Sequence, residues 1–160
     1  MRIQKRRRRE AKTDYAKRLK LLKGEKPRIV IRKTNKYLIA QYITSKHAQD
    51  KIEIGVTSKH LMKHGWPKEF EGSLKTIPAS YLTGLLIGKK IINEKKENPI
   101  VDFGMIRNLH RTKIYAFIKG LVDSGIKIKH DEKIFPKEER IKGAHLKNKI
   151  NFEEIKTKIK

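Results

Sequence analysis

The sequence predicts an α/β fold: a mixed sheet with covering helices, extended at both ends by basic segments. Three runs between Arg28 and Val56 alternate apolar and polar residues with the period of a strand. Two later segments, from Pro78 to Lys95 and from Thr112 to Val122, space their apolar residues as a helix does. The first dozen residues and the stretch after His130 are polar and basic, and 160 residues suit one compact body with appendages better than two independent cores. The expected divisions are a basic arm with a short helix at 1–26, an α/β body at 27–130 and a basic extension at 131–160.

Residues 1 to 12 hold Arg2, Lys5, Arg6, Arg7, Arg8, Arg9 and Lys12 with almost nothing apolar, so the arm is expected to stay disordered until it meets phosphate. With Thr13 as the expected N-cap, Tyr15, Leu19 and Leu22 form one helical stripe opposite Lys17, Arg18 and Lys20, and Gly24 is a good stop. Pro27 opens the change of period. Ile29 and Ile31 alternate with Arg28, Val30 and Arg32; Thr34, Asn35 and Lys36 make a turn; and a second run from Tyr37 to Ile43 completes a hairpin. Ile52, Ile54 and Val56 predict a third, half-exposed strand.

Gly65, Pro67 and Gly72 mark residues 60–75 as a helical turn and an irregular loop. Pro78 then sits where a first helical turn tolerates it, and Tyr81, Leu82, Leu85, Leu86, Ile91 and Ile92 continue the helix. Ser80, Gly84 and Gly88 leave a small-residue stripe along it. Two glycines, each about 1 kcal/mol worse than alanine inside a helix, imply close approach of a neighbouring element. Ile100 to Gly104 reads as a short strand. Thr112 caps a helix with Ile114, Phe117, Ile118, Leu121 and Val122 on its buried face, Gly125 ends it, and Ile126 and Ile128 predict a last strand. The order β, β, β, α, β, α, β implies the mixed sheet. After His130 come Lys137, Arg140, Lys142, Lys147 and Lys149. A terminal helix is expected from Asn151, three residues before Glu154, with Ile150 and Ile155 as a hydrophobic staple.

The balance of charge speaks to partners. Lys and Arg number 41 against 17 Asp and Glu, a formal net charge of +24, which calls for a polyanion. No apolar run approaches the roughly 18 residues of a membrane span, and no apolar signal region follows the arginine cluster, so a cytoplasmic protein with no membrane partner is expected. The absence of cysteine excludes disulfides, zinc ribbons and thiol chemistry and fits a reducing compartment.

Enzymatic readings find little support. His60 and His64 have the i, i+4 spacing of a metalloprotease helix, but Leu61 stands where the catalytic glutamate belongs. Asp102 is the best seed for a divalent-metal nuclease, with Glu53 and Asp123 as distant candidates, and neither their spacing nor the surrounding charge supports a metal cluster. There is no nucleophile elbow and no Gly-rich phosphate loop. No metal and no cofactor are expected.

Four consecutive arginines, by contrast, supply planar donors for phosphate and base edges, and Tyr15 and Arg18 follow them on a helix. A basic amphipathic helix can also seek membranes or calmodulin, but this apolar stripe is narrow and interrupted. Around the hairpin turn, Arg28, Arg32, Lys33, Asn35, Lys36 and Gln41 surround Tyr37, a ring that either stacks on an unpaired base or packs inward. His110, Arg111 and Lys113 add donors at a helix start, and Arg140, Lys142, His145 and Lys147 extend the basic surface.

The string Arg6-Arg7-Arg8-Arg9-Glu10-Ala11-Lys12-Thr13-Asp14-Tyr15, with Arg18-Leu19, Leu21-Leu22-Lys23 and Lys26-Pro27-Arg28, resembles the archaeal and eukaryotic-type large-subunit ribosomal protein L-eighteen family. Further similarity runs through Arg32-Lys33-Thr34-Asn35-Lys36, Ala40-Gln41, Tyr81 to Leu86, Asp102-Phe103-Gly104, Lys119 to Gly125 and Lys142-Gly143-Ala144-His145. The resemblance implies a ribonuclease-H-like three-layer body without that fold's catalytic carboxylates. It also implies a non-catalytic constituent of the large ribosomal subunit that binds 5S rRNA in the central protuberance and touches large-subunit rRNA and neighbouring ribosomal proteins. Carried over, Arg6 to Arg9, Thr13, Tyr15, Arg18, Arg28, Arg32, Lys33, Asn35 and Lys36 are expected to meet 5S rRNA. The rival reading is a metal-dependent nuclease on the same fold, which would lose hydrolysis in Asp102→Asn.

Overall fold

The computed structural model describes residues 3–107, 109–146 and 150–159. Arg2, Lys147 and Lys149 lie outside them. One helical turn, α1 (Arg6–Arg9), and a longer helix, α2 (Tyr15–Lys23), precede a sheet made of β1 (Arg28–Lys33), β2 (Leu38–Lys46), β3 (Gln49–Thr57) and β4 (Ile100–Asp102). The strand order is β3-β2-β1-β4; the first three pair antiparallel, and β4 runs parallel to β1. Between β3 and β4 lie two 3-10 helices (Ser58–His64 and Lys68–Ser73) and the long helix α3 (Ile77–Asn93). Helices α4 (Lys113–Asp123), α5 (Glu138–Lys142) and α6 (Phe152–Ile159) follow.

Alternation assigns the two sheet faces. Ile29, Ile31, Leu38, Ala40, Tyr42, Ile54 and Val56 are buried in one core with Leu82, Leu85 and Phe117 of the helices. The opposite face carries Arg28, Val30 and Arg32, which pair across with Ile43, Gln41 and Ile39. This second face fronts the arm and α2.

Helix α3 is buried nearly all round, and α4 crosses it where glycine permits. A Cβ on Gly84 would strike the Phe117 carbonyl oxygen, and one on Gly120 would strike that of Tyr81. At Gly84 the small-residue stripe of α3 is therefore a backbone-to-backbone crossing, the close approach its composition implied, and at Gly88 it packs on the Ser124 side chain.

The mixed α/β architecture agrees with the sequence, and several details differ. Residues 126–130 form no strand: Ile126 is buried by packing at the end of α4, while its backbone N–H returns to the Leu121 carbonyl. The arm is not wholly without structure, since residues 6–9 take a helical turn. Asp14, not Thr13, caps α2; its carboxylate accepts from the Ala16 and Lys17 amides, while Thr13 accepts from the Arg7 Nε–H at 2.9 Å. Gly24 ends α2 with right-handed backbone, and Glu25 takes the left-handed conformation instead.

The register slips between Tyr42/Ile54 and Ile43/Ile52, so a bulge around Glu53 turns Ile52 away from the core face that Ile54 and Val56 share. Ile52 is accordingly 51% exposed. The β2–β3 turn is His47-Ala48, both at positive φ (48° and 64°), the twist that suits a two-residue hairpin although neither Asn nor Gly is present to signal it.

Candidate nucleic-acid interface

A cleft opens between the second sheet face and the arm with α2. Arg7, Lys12, Lys17, Arg32 and Lys33 are among the cations that line it, with Val30, Ile43, Phe103 and Ile106 as apolar lining. Tyr15 stands at its edge with the Lys5 ammonium 4.8 Å over the ring. Cations around apolar and aromatic surface match what a polynucleotide offers, phosphates outside and bases within.

At the base of the cleft five side chains, one each from α2 and the four strands, form one network. Arg28 donates to Asp50 Oδ1 at 2.7 Å, to Ser45 Oγ at 3.0 Å and to Asp102 Oδ2 at 3.3 Å. Ser45 donates to the same Asp50 oxygen at 2.7 Å, and Arg18 of α2 reaches the other one at 2.9 Å. The second Asp102 oxygen accepts the Gly104 amide at 2.8 Å, in a loop whose Gly104 carbonyl accepts from Lys17 Nζ at 3.4 Å.

Burial pushes the Asp50 carboxyl up, but hydrogen bonds from Arg18 and Ser45 and the charges of Arg28 and Arg18 outweigh it and hold the group below the usual carboxylate range. A carboxylate depressed on folding contributes stability above its unfolded pKa of about 3.9 and loses it as the pH falls through the lower folded value. Urea midpoints of the protein and of Asp50→Asn should therefore differ at pH 6 and converge towards pH 2; a constant gap would deny the carboxylate this role.

Arg28 corrects the sequence reading. Its side chain is 2% exposed and its donors are engaged internally, so it organises the cleft floor and does not present a surface contact. The sequence could not show this, because its partners lie 17, 22 and 74 residues away.

Of the other candidates, Arg7, Thr13, Tyr15, Arg18, Arg32 and Lys33 share the main cleft, and Arg8 borders a smaller one beside Tyr15. Arg6 and Arg9 are exposed on the same helical turn. Asn35 and Lys36 are exposed at the hairpin turn, Tyr37 packs part of its ring on the core, and Gln41 is half-buried on the second sheet face. His110 and Arg111 are exposed before α4. Thr112 does not cap that helix through its side chain: its hydroxyl donates to the Leu109 carbonyl.

Burial, and then the charges of Lys75 and Lys33, pull the Lys113 ammonium below the usual lysine range. Among the described residues none of these three lysines has an ion-pair partner. The hairpin end and the start of α4 therefore form one positive region. Arg140, Lys142 and His145 are exposed elsewhere, where Gly143 abuts Pro78 at the start of α3. Lys147 lies outside the described residues. Sequence reasoning left Lys12, Lys17 and Lys75 off the candidate set and missed Asp50 altogether; charge alone did not separate the lysines from forty-odd similar cations.

The nuclease constellation does not assemble. Asp102 is paired to Arg28, Glu53 to Lys96 at 2.8 Å, and Asp123 accepts from Tyr81 at 2.8 Å. His60 is a capping residue, its Nδ1 accepting the Thr57 amide at 3.0 Å in a 3-10 helix that does not stack His64 above it.

Residues 1–101, the arm, sheet and α3, match the family described as ribosomal large subunit proteins 60S L5 and 50S L18. The chain belongs to this family. Across 141 residues it is 44% identical to the large ribosomal subunit protein uL18 of Korarchaeum cryptofilum, covering 88% of this chain and 70% of that one. It is 40% identical over 141 residues to uL18 of Methanospirillum hungatei (88% and 78% covered) and 41% over 144 residues to uL18 of Methanosphaera stadtmanae (90% and 72%). As a member of this family the protein is an archaeal-type constituent of the large ribosomal subunit, not an enzyme, and its surroundings are rRNA and other ribosomal proteins. Among the described residues no helix is long and apolar enough to cross a membrane.

Proposed function

We propose that this member of the family binds 5S rRNA and helps seat it on the large rRNA in the central protuberance. The arm, α2 and the β1–β2 hairpin form the RNA surface, with the basic C-terminal extension as a second contact region. The observation that carries the reading is the cleft: Arg7, Lys12, Lys17, Arg32 and Lys33 bring arm, helix and hairpin to one place on a protein of net charge +24. Tyr15 and Phe103 in the same cleft offer faces on which an unpaired base stacks, a contact worth roughly 1–3 kcal/mol. The arrangement suits folded RNA with exposed bases better than regular duplex.

Competition binding tests it. Labelled 5S rRNA should stay bound at near-physiological salt against excess tRNA and duplex DNA; indiscriminate displacement would leave a generic polycation. Arg32→Ala with Lys36→Ala should weaken binding and lower the magnitude of the salt slope by about 1–2, as expected for two lost phosphate contacts. An unchanged slope would remove the hairpin from the site.

A further inference from the structure

We propose that Asp50 is a positioning residue for RNA binding: a carboxylate that grips Arg18 from below and thereby sets α2, and the arm ahead of it, at the angle in which they meet RNA. This rests on the reading of the cleft as an RNA interface. It concerns a residue of opposite sign to the ligand, which a survey of cations passes over.

The geometry is that of a relay. Asp50 lies on β3 directly opposite Ser45 of β2, and one of its oxygens is fixed by Ser45 and by buried Arg28 of β1. The remaining oxygen faces α2 and takes the Arg18 guanidinium at 2.9 Å, whose other arm reaches the Ala48 carbonyl in the β2–β3 turn at 3.4 Å. The preceding residue of α2, Lys17, reaches the Gly104 carbonyl at 3.4 Å, and that loop is held to Asp102, the other carboxylate on Arg28.

Helix α2 contributes no fully buried residue, and Leu19 on it is 55% exposed. Apolar packing is therefore a weak anchor for it, and the polar relay fixes its orientation. A helix held in its bound orientation loses less freedom on association than a loose one.

Simple electrostatics and this relay predict opposite signs. Removing a carboxylate beside a polyanion should tighten binding. If Asp50 instead positions α2, its removal weakens binding although the protein becomes more positive.

The test uses the full chain, 5S rRNA over a range of salt, and hydrogen exchange of the free proteins. Asp50→Asn should bind about tenfold more weakly with an unchanged salt slope, the signature of lost preorganisation without a lost phosphate contact. The α2 amides should exchange faster while those of β1 and β2 keep their protection. Tighter binding, or unchanged exchange in α2, overturns the proposal.

Arg18→Gln leaves the buried Arg28–Asp50 pair intact, so it decides the matter even if Asp50→Asn folds poorly. Weaker binding at constant slope supports a positioning role, and a slope reduced by about one places Arg18 on a phosphate and overturns it. The exchange measurement needs no RNA. A protein whose α2 is released as expected but which shows no preference for 5S rRNA would thus overturn the RNA reading and leave the tether standing.

Discussion

Gly84→Ala and Gly120→Ala should each lower the melting temperature by about 10 °C, measured by calorimetry or circular dichroism. In an isolated helix the same change stabilises by about 1 kcal/mol, so the sign itself is the test. Here the added methyl would meet a backbone carbonyl oxygen of the crossing helix, Phe117 for Gly84 and Tyr81 for Gly120. A carbonyl inside a helix cannot swing aside as a side chain can, so α3 and α4 must separate and their shared core opens. An overpacking penalty of about 3 kcal/mol corresponds to that shift in a domain of this size. A melting temperature unchanged or raised would show that the helices do not cross at these glycines.

Arg28→Ala should destabilise the fold by about 3 kcal/mol while leaving the salt slope of RNA binding alone. The guanidinium is 2% exposed and serves two carboxylates, with Asp50 29% and Asp102 14% exposed. Losing it strands the Asp102 charge in a site that offers it little water and leaves Asp50 with Arg18 as its cation, and breaking a buried pair in this way is strongly damaging. Arg32, two residues along the same strand face, is exposed, and Arg32→Ala should change stability by no more than about 0.5 kcal/mol. Denaturant titration of the two variants separates them: equal stabilities would remove Arg28 from any structural role.

Those two arginines show where reading the sequence stops. Arg28 and Arg32 have the same phase in the same strand, and nothing local distinguishes them. Arg28 pairs across with Ile43 in mid-sheet, next to Ser45 and under Asp50 and Asp102, while Arg32 pairs with Ile39 near the hairpin end. Position in the sheet, not residue type, makes one an internal clamp and the other a surface cation.

The same limit explains Ile52, which has the phase of Ile54 and Val56 until a bulge reverses its side, and the His47-Ala48 turn, whose residues carry no turn signature. Ile126 and Ile128 alternate as a strand would, yet no sheet edge receives them, and Ile126 is buried by packing instead. Alternation reports a buried side, which a strand or an irregular segment can equally supply.

The order of residues alone dictated the elements whose signals are local and periodic: the hairpin, the third strand, α3, α4 and the close helix contact implied by Gly84 and Gly88. It also determined the class of partner, because a net charge of +24 requires a polyanion whatever the fold. The assembled fold alone shows which of these cations share a cleft, which is spent on internal carboxylates, and that Asp50, 32 residues beyond Arg18, holds the helix beside them. Periodicity is set by neighbours within a turn or two of chain, whereas the ion pairs of the cleft floor join groups 22 to 74 residues apart that only folding brings together.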